Sequence, residues 1–175
     1  QDNDFANGPE SIEWRVLEVN GGSALIVSEY ALDAMAYNEV YESVTWETST
    51  LRGWLNQKFY DMAFGTKEKD LIITINTRNE RNPNYGTGNG KNTEDRLFLL
   101  SINELEMYFV DDEDRQAFPT KYAIAKNVYV NDDLKTTWWW LRSSGSIGRY
   151  AAEIYPDGSI YYFGDYVYNG RVAVR

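Results

Sequence analysis

Apolar and polar residues alternate near the start of the chain. In residues 12–19, apolar positions that include Trp14 and Val16 are separated by polar ones, which predicts a strand with one buried face. The turn sequence Asn-Gly-Gly at residues 20–22 leads into a second apolar run at residues 24–28. Together these segments predict a β-hairpin.

A helical period replaces the alternation over residues 48–64, where Thr48 or Ser49 is expected to cap the helix. The apolar residues of one face recur at i, i+3 and i+4 spacing, and they are Leu51, Trp54, Leu55, Phe59 and Met62. Thr66 is expected to cap a short second helix over residues 67–71.

Residues 76–93 contain six Asn and three Gly and are predicted to form a long loop, of the kind that is usually functional or mobile. Residues 96–100 are predicted to form a buried strand. The sequence Ser101-Ile102-Asn103-Glu104 is a capping box and predicts that a helix begins there.

The C-terminal third has the pattern of short strands joined by turns. Alternation would bury Trp138 and Trp140 as core aromatics and turn Trp139 to the other side. Turn signals occur at residues 143–146, 156–158 and 169–170. The inward residues of the strands between them are expected to be Ile154, Ile160 and Val167. Helices early in the chain and antiparallel strands at both ends predict an α+β fold.

The polar N-terminal segment, which contains Gly8-Pro9, predicts a tail over residues 1–11. Residues 12–175 have the length of a single domain. Because residue 1 is Gln, an upstream segment is expected to be missing, and a signal peptide or a lipoprotein leader is one form that it could take.

Composition excludes several classes of function. The formal net charge of −10 opposes binding to nucleic acid and to anionic membranes, and no apolar run is long enough to span a bilayer. The chain has no His and no Cys, so catalysis would depend on carboxylates, Lys, Tyr or Ser. The acidic run at residues 111–114 lacks the spacing of an EF-hand and is predicted to be a solvated turn or the start of a helix. We expect no metal and no cofactor.

Tyrosine is concentrated near the C terminus, where six of the fourteen tyrosines lie between Tyr150 and Tyr168. They are interleaved with Gly, Ser, Asp and Asn rather than with aliphatic residues. Tyrosine provides a large amphipathic contact area at low entropic cost, and this mixture of residues is typical of binding surfaces. The segment is therefore predicted to contact a ligand.

Several short motifs occur in order along nearly the whole chain from Ile12. They resemble an uncharacterised domain family of gut bacteria and their phages. In that family the terminal motif usually reads Gly-Val-Arg-Pro, whereas here Ala173 precedes Val174-Arg175. The motifs are Trp14-Arg15-Val16-Leu17, Thr45-Trp46-Glu47, Leu51-Arg52-Gly53-Trp54-Leu55-Asn56, Phe98-Leu99-Leu100-Ser101 and Trp139-Trp140-Leu141-Arg142-Ser143.

The resemblance implies a C-type-lectin-like fold, which is shared with formylglycine-generating enzymes and with the variable proteins of diversity-generating retroelements. In the variable proteins, adenine mutagenesis diversifies a C-terminal segment on a fixed scaffold. Randomising the adenines of an AAC or AAT codon cannot produce Lys, Gln, Glu, Met or Trp. These types make up 33 of the 175 residues, yet residues 143–171 contain only Glu153.

We therefore expect no enzymatic activity but a display module that binds a protein or a cell-surface ligand, at an extracellular, cell-surface or virion location. The alternatives are a calcium-independent carbohydrate-binding module and a hydrolase that pairs Glu153 with Asp157 or Asp165. The candidate ligand-binding residues flank the inward positions and are expected to point outward or to lie in turns. They are Ser146, Ile147, Arg149, Tyr150, Glu153, Tyr155, Tyr161, Phe163, Asp165, Tyr166, Tyr168, Asn169 and Arg171.

Overall fold

The computed structural model describes Ala6, Gly8 and residues 10–175. Most of the predicted tail over residues 1–11 therefore lies outside the described residues. The remainder is a mixed α+β fold, as the sequence predicts. Its helices are short and are bounded as follows: α1 Thr50–Trp54, α2 Tyr60–Ala63, α3 Thr66–Lys69, α4 Ile102–Tyr108, α5 Asp112–Arg115 and α6 Lys121–Ala125.

Within the described residues the strands form three sheets. The largest has five strands in the order β3-β9-β6-β7-β8, in which only the β6–β9 pair is parallel, and the others are the two-stranded sheets β1-β2 and β4-β5. The strands are β1 Trp14–Asn20, β2 Ser23–Ser28, β3 Asp33–Ala34, β4 Ile75–Thr77, β5 Thr93–Asp95, β6 Trp139–Ser144, β7 Tyr150–Ile154, β8 Ile160–Tyr166 and β9 Ala173–Val174.

The N-terminal hairpin is confirmed, but its buried face differs from the prediction. The pairing of β1 with β2 shifts register between Val16 and Glu18. A bulge of this kind interrupts the alternation of side chains. Consequently Val16 is exposed, and Leu17 packs against the core instead.

The predicted helix over residues 48–64 is confirmed as α1 and α2, joined by a π-helical turn at Leu55–Phe59. Ser49 caps it by accepting a hydrogen bond from the backbone N–H of Arg52. A π turn rotates the following residues relative to an α-helical period. Met62 is therefore exposed, whereas Leu51 and Leu55 are buried as predicted.

Three local predictions were wrong. Helix α3 begins one residue early and is capped by Gly65, whose backbone N–H donates to the Glu68 carboxylate. Residues 96–100 form no strand, although Leu99 and Leu100 are buried. Residues 143 and 144 belong to β6, so the predicted turn at 143–146 begins later. The α3 start is set by this local Gly65–Glu68 contact, whereas the other two differences arise in segments that are buried against the rest of the fold.

Two of the sequence motifs meet around Arg142, which is 1% exposed. Its guanidinium group forms a bidentate ion pair with the Glu104 carboxylate at 2.6 and 2.8 Å and donates to the Leu99 carbonyl at 2.7 Å. Glu104 also completes the predicted capping box with Ser101. The motif that contains Arg142 therefore fixes the start of α4 against β6.

A second buried network joins the other motifs through Asp95. Its carboxylate accepts hydrogen bonds from the Trp46 indole N–H at 3.0 Å and from the Thr93 hydroxyl at 2.6 Å, and it pairs with Arg52 at 2.6 Å. A buried charge is stable only when it is paired and hydrogen-bonded in this way. Asp95 thus connects the first helix to β5.

Apolar clusters pack against both faces of the five-stranded sheet. The first core cluster contains Trp139 and Ile154, and the second contains Trp140 and Val167. The tryptophan prediction is therefore partly wrong: Trp139 and Trp140 are both fully buried on opposite faces, whereas Trp138 is half-buried. Ile154 and Val167 are inward as predicted, and Ile160 packs at the edge of the first core cluster.

Candidate functional site

Strands β7 and β8 form one end of the five-stranded sheet, and most side chains of β8 are only partly buried or exposed. Ala152 and Ile154 of β7 belong to the first core cluster. Side chains alternate along a strand, so Glu153 faces the side of the second core cluster, opposite Trp140 on β6 and Tyr161 on β8. Of the β7 residues on this face, Ala151 belongs to the second core cluster, whereas Glu153 lies outside it.

A continuous layer of aromatic rings covers that end. Among the described residues, ten rings are linked by centroid separations of 4.3 to 6.1 Å. Pairs at such separations attract each other beyond their buried area. We call this layer the aromatic face. Its members are Tyr41, Tyr85, Tyr129, Trp138, Tyr150, Tyr155, Tyr161, Phe163, Tyr166 and Tyr168.

Arginine side chains lie over the two ends of the aromatic face. The Cζ atom of Arg149 is 5.3 Å from the ring centroid of Tyr41, and that of Arg171 is 5.9 Å from the ring centroid of Tyr129. Both distances are within the range of cation–π attraction. The rings at the two ends therefore already contact cations.

A concave pocket of about 260 Å³ opens in the middle of the aromatic face. Its walls are mainly aromatic, and its lining includes two carboxyl groups. We call it the Glu153 pocket. It is lined by Trp138, Tyr150, Glu153, Tyr155, Tyr161, Phe163, Gly164, Asp165 and Tyr166.

Glu153 is buried at the pocket with only 1% of its surface exposed. Its Oε2 atom has no hydrogen-bond partner. Burial, and secondarily the charge of Asp165, raises the pKa of Glu153 to about 9, because desolvation disfavours the charged form of a carboxyl group. Glu153 is therefore a neutral carboxylic acid at pH 7.

The polar groups around Glu153 differ in how well they are satisfied. The Asp165 carboxylate accepts hydrogen bonds from the backbone N–H of Tyr166 at 2.6 Å and from the side-chain amide of Asn169. Burial, followed by the hydrogen bond with Tyr161, raises the pKa of Tyr155 above its ordinary range. The hydrogen bond with Tyr166 raises the pKa of Tyr150 to about 12. Both of these phenols keep their protons at neutral pH.

The Asn-rich loop over residues 78–92 is held against this end of the sheet. The buried Asn82 side chain donates to the carbonyls of Ser144 at 2.9 Å and Tyr162 at 2.8 Å. The Thr87 hydroxyl donates to the Ser146 carbonyl at 2.8 Å. These bonds position Tyr85 against Phe163, so the loop forms one side of the aromatic face.

The structure brings most of the predicted ligand-binding residues together. Six contribute rings to the aromatic face, two are the flanking arginines, and Asp165 and Asn169 are linked by a hydrogen bond. Ile147 is exposed in the turn before β7, and Ser146 is half-buried there. Glu153 is the exception: it does not point into solvent but lies buried at the pocket. Asp157, one of its proposed partners, lies in the exposed turn after β7 and does not line the pocket.

Sequence reasoning missed four rings of the aromatic face and a glycine of the pocket. Trp138 is predicted as a core residue, and Tyr41 and Tyr129 come from distant segments with no binding pattern of their own. Gly164 has a φ of +79° and lies so close to the Ala151 carbonyl that a side chain there would clash. Tyr85 carried a signal, because it lies in the long loop predicted over residues 76–93.

The acidic run at residues 111–114 is the start of a helix, as predicted. Asp111 caps α5 by accepting a hydrogen bond from the backbone N–H of Asp114 at 2.9 Å. In the part of the chain that the structure describes, no group of three or more acidic side chains is arranged to hold a metal ion. The helices of that same part are too short or too polar to cross a membrane.

Comparison with known proteins matches most of the chain to a protein family. No curated protein and no solved structure matches the chain. A family model described as "Domain of unknown function (DUF6273)" matches residues 21–175. This range contains the five-stranded sheet, the loop over residues 78–92 and the whole aromatic face. The chain therefore belongs to the DUF6273 family.

Proposed function

We propose that this protein is a ligand-binding display module and that its aromatic face is the surface that contacts the ligand. The observation that carries the proposal is the Glu153 pocket, an open aromatic concavity with an unpartnered buried carboxyl group. Tyrosine and arginine are the residue types that contribute most to binding energy at protein interfaces. Exposed aromatic surface of this extent is otherwise a liability for solubility.

The distribution of burial within β7 and β8 supports a division between scaffold and contact residues. Ala151, Ala152 and Ile154 are fully buried, whereas Phe163, Tyr166 and Tyr168 are each more than 40% exposed. Changes at the exposed positions therefore leave the core packing in place. This is the property that a diversified surface requires, and we propose that residues 143–171 are such a segment on a C-type-lectin-like fold.

Binding can be tested with alanine substitutions of two rings of the aromatic face, the half-buried Tyr161 and the exposed Tyr166 (Tyr161→Ala and Tyr166→Ala). The chain would be screened on a glycan array and on an array of surface proteins of gut bacteria, and bound partners would be measured again with each variant. We expect both substitutions to weaken binding at least tenfold. The matched control is Tyr30→Ala, an exposed tyrosine outside the aromatic face. Equal losses for the control would contradict the proposal.

Diversification is tested separately by the sequences of sibling genes and of their surroundings. Under the proposal, siblings differ mostly within residues 143–171, and a reverse transcriptase gene and a template repeat lie nearby. Within that segment Ala152, Ile154 and Gly164 stay constant because they are packed against the core or the backbone. Uniform siblings over residues 143–171 would refute diversification and leave ligand binding standing.

A carboxylate-based hydrolase is a second candidate, because Glu153 and Asp165 both line the pocket. A neutral buried acid beside another carboxyl group is the arrangement that glycoside hydrolysis uses. Aryl glycosides would be assayed with the wild-type chain, with Glu153→Gln and with Asp165→Asn. Turnover that both substitutions abolish would favour the hydrolase over the display module.

A further inference from the structure

We propose that the Glu153 pocket binds an organic cation, either a quaternary ammonium or a guanidinium group, between its aromatic walls and the Glu153 carboxylate. This inference rests on the proposed ligand-binding function and names the chemistry of the ligand. The cation can belong to a free small molecule or to a side chain of a partner protein, and both sources present the same group to the pocket.

The described side chains that line the pocket carry acidic groups but no basic ones. The pocket has two acidic side chains, Glu153 and Asp165, and no Lys or Arg among the described residues that line it. Asp165 already accepts two hydrogen bonds, but Oε2 of Glu153 accepts none. A buried carboxyl group without a partner is costly, and a cation inside the pocket would provide the missing interaction.

The walls of the pocket are mainly aromatic rings. A cation over a Tyr, Trp or Phe ring is attracted by the ring quadrupole, and aromatic cages recognise quaternary ammonium groups in this way. On the same aromatic face, Arg149 and Arg171 lie over Tyr41 and Tyr129. The rings in the middle line an open pocket instead. The protein thus places its own cations at the ends and leaves the central site free for a ligand.

The charge of the chain and of the pocket disfavours anionic ligands. The formal net charge of the chain is −10, which repels anions at long range and attracts cations. An anion in the pocket would also face Asp165 without a compensating positive charge from the lining. A neutral ligand would gain the aromatic contacts but no electrostatic attraction to an ionised Glu153 carboxylate.

Cation binding has to be coupled to the protonation of Glu153. The titratable groups that line the pocket with it are Tyr150 and Tyr155 from its own side, and Tyr161, Asp165 and Tyr166 from β8. Because the pKa of Glu153 is about 9 in the free protein, a cation that favours the ionised form displaces a proton at pH 7. Affinity for a cation of fixed charge therefore rises as the pH increases from 6 to 9.

The experiment compares cations with uncharged molecules of the same shape. Choline is paired with 3,3-dimethylbutan-1-ol, and Nα-acetyl-arginine methylamide is paired with the corresponding citrulline derivative. Binding to the full chain is followed by NMR through the indole N–H resonance of Trp138, assigned with Trp138→Phe. We expect at least one cation to bind about tenfold more tightly than its neutral partner at pH 8, and to bind several-fold more tightly at pH 8 than at pH 6.

Glu153→Gln keeps the shape of the side chain and removes the charge, so it should abolish both the preference for the cation and the pH dependence. Glu13→Gln, the same change at an exposed residue outside the pocket, should leave both intact. A folded Glu153→Gln variant, shown by an unchanged core NMR spectrum, is required for the comparison. If that variant does not fold, the pH dependence of binding of the preferred cation to the wild-type chain decides the question.

The possible outcomes separate this inference from the proposed function. Preference for choline indicates a free cation as ligand, and preference for the capped arginine indicates a protein side chain. Equal affinity for a cation and its neutral partner, absence of binding by all four probes, or pH-independent binding overturns the cation proposal. In those cases, partners found on the arrays and lost with Tyr161→Ala would still support ligand binding by the aromatic face.

Discussion

At the scale of single residues, Glu153 couples the candidate site to the stability of the fold. An acid whose pKa is higher in the folded state than in the unfolded state holds a proton that the unfolded chain has lost. Here the interval runs from the ordinary value of 4.5 to about 9. The stability contributed by neutral Glu153 is full below the lower value and is lost as the pH rises through this interval.

This predicts a pH-dependent difference between the wild-type chain and Glu153→Gln. Relative to the variant, the wild type should lose about 1.4 kcal/mol of unfolding free energy per pH unit within the interval, or about 3 kcal/mol from pH 5 to pH 7. Urea unfolding at pH 5, 6, 7 and 8 measures the difference. Glu13→Gln serves as the control, and its unfolding free energy should change with pH as that of the wild type does. If the unfolding free energy of Glu153→Gln also changes with pH as that of the wild type does, the burial of Glu153 is contradicted.

Arg142 and Glu104 illustrate the opposite case, a charged pair within the scaffold. Burial alone would raise the pKa of Glu104, but the hydrogen bond and the charge of Arg142 hold it below its ordinary value. The stability that this carboxylate contributes is present above pH 4.5 and is lost as the pH falls through the lowered pKa. The pair therefore strengthens the junction of α4 and β6 at neutral pH.

We predict that Glu104→Gln destabilises the chain by about 3 kcal/mol at pH 7, because it leaves the buried Arg142 charge without its partner. Glu113→Gln, an exposed change of the same kind on α5, should cost less than about 0.5 kcal/mol. Chemical denaturation of both variants measures the difference. Similar costs for the two would show that Arg142 finds other partners.

At the scale of elements, the loop over residues 78–92 depends on Asn82. Its amide donates to two carbonyls, and its Oδ1 accepts from the backbone N–H groups of Asn84 and Tyr85 at 3.0 and 3.2 Å. Asn82→Ala should cost about 1 to 3 kcal/mol, since these groups lose their partners. Hydrogen exchange should become faster in residues 82–87 and remain unchanged in α4. Asn84→Ala is the control, because Asn84 is exposed.

The turn between β7 and β8 depends on Gly158. Its φ is +88°, and a Cβ atom would lie 1.7 Å from the Asp112 carbonyl oxygen. Gly158→Ala should therefore destabilise the fold by more than about 3 kcal/mol through a backbone clash and strain. Gly170→Ala has room, with the nearest atom at 4.0 Å and no positive φ, and should be nearly neutral. Thermal unfolding of the two variants distinguishes these outcomes.

At the scale of the whole molecule, two sets of side chains with different roles occupy the same strands. Tyr168→Ser removes an exposed ring whose contacts are to other surface rings, so it should cost less than about 1.5 kcal/mol. Ala152→Leu adds volume to a fully buried site and should cost about 1 to 3 kcal/mol or more. The denaturation midpoints of the Tyr168→Ser and Ala152→Leu variants test these two expectations. A large cost for Tyr168→Ser would argue against a tolerant surface.

The sequence determined the parts of the fold that depend on neighbouring residues. The hairpin of β1 and β2, the helix that Ser49 caps, the capping box of Ser101 and Glu104, and the turn at Pro156-Asp157-Gly158 all follow from local hydrogen bonds and periodicity. The tyrosine-rich C-terminal third also supplies most of the rings of the aromatic face. Such signals are read over a few residues, within which the chain determines its own conformation.

Only the tertiary structure decided which residues form the candidate site. Tyr41, Tyr85 and Tyr129 reach it from distant segments. Alternation predicts a buried Trp138 and an outward Glu153, whereas Glu153 is buried and Trp138 is half-buried. The physical reason is that periodicity specifies the face of a strand, whereas burial depends on what covers that face. Trp140 is a fully buried member of the second core cluster, Trp138 packs only at its edge, and aromatic rings line the pocket around Glu153. The unpartnered acid in its aromatic pocket is therefore a product of packing.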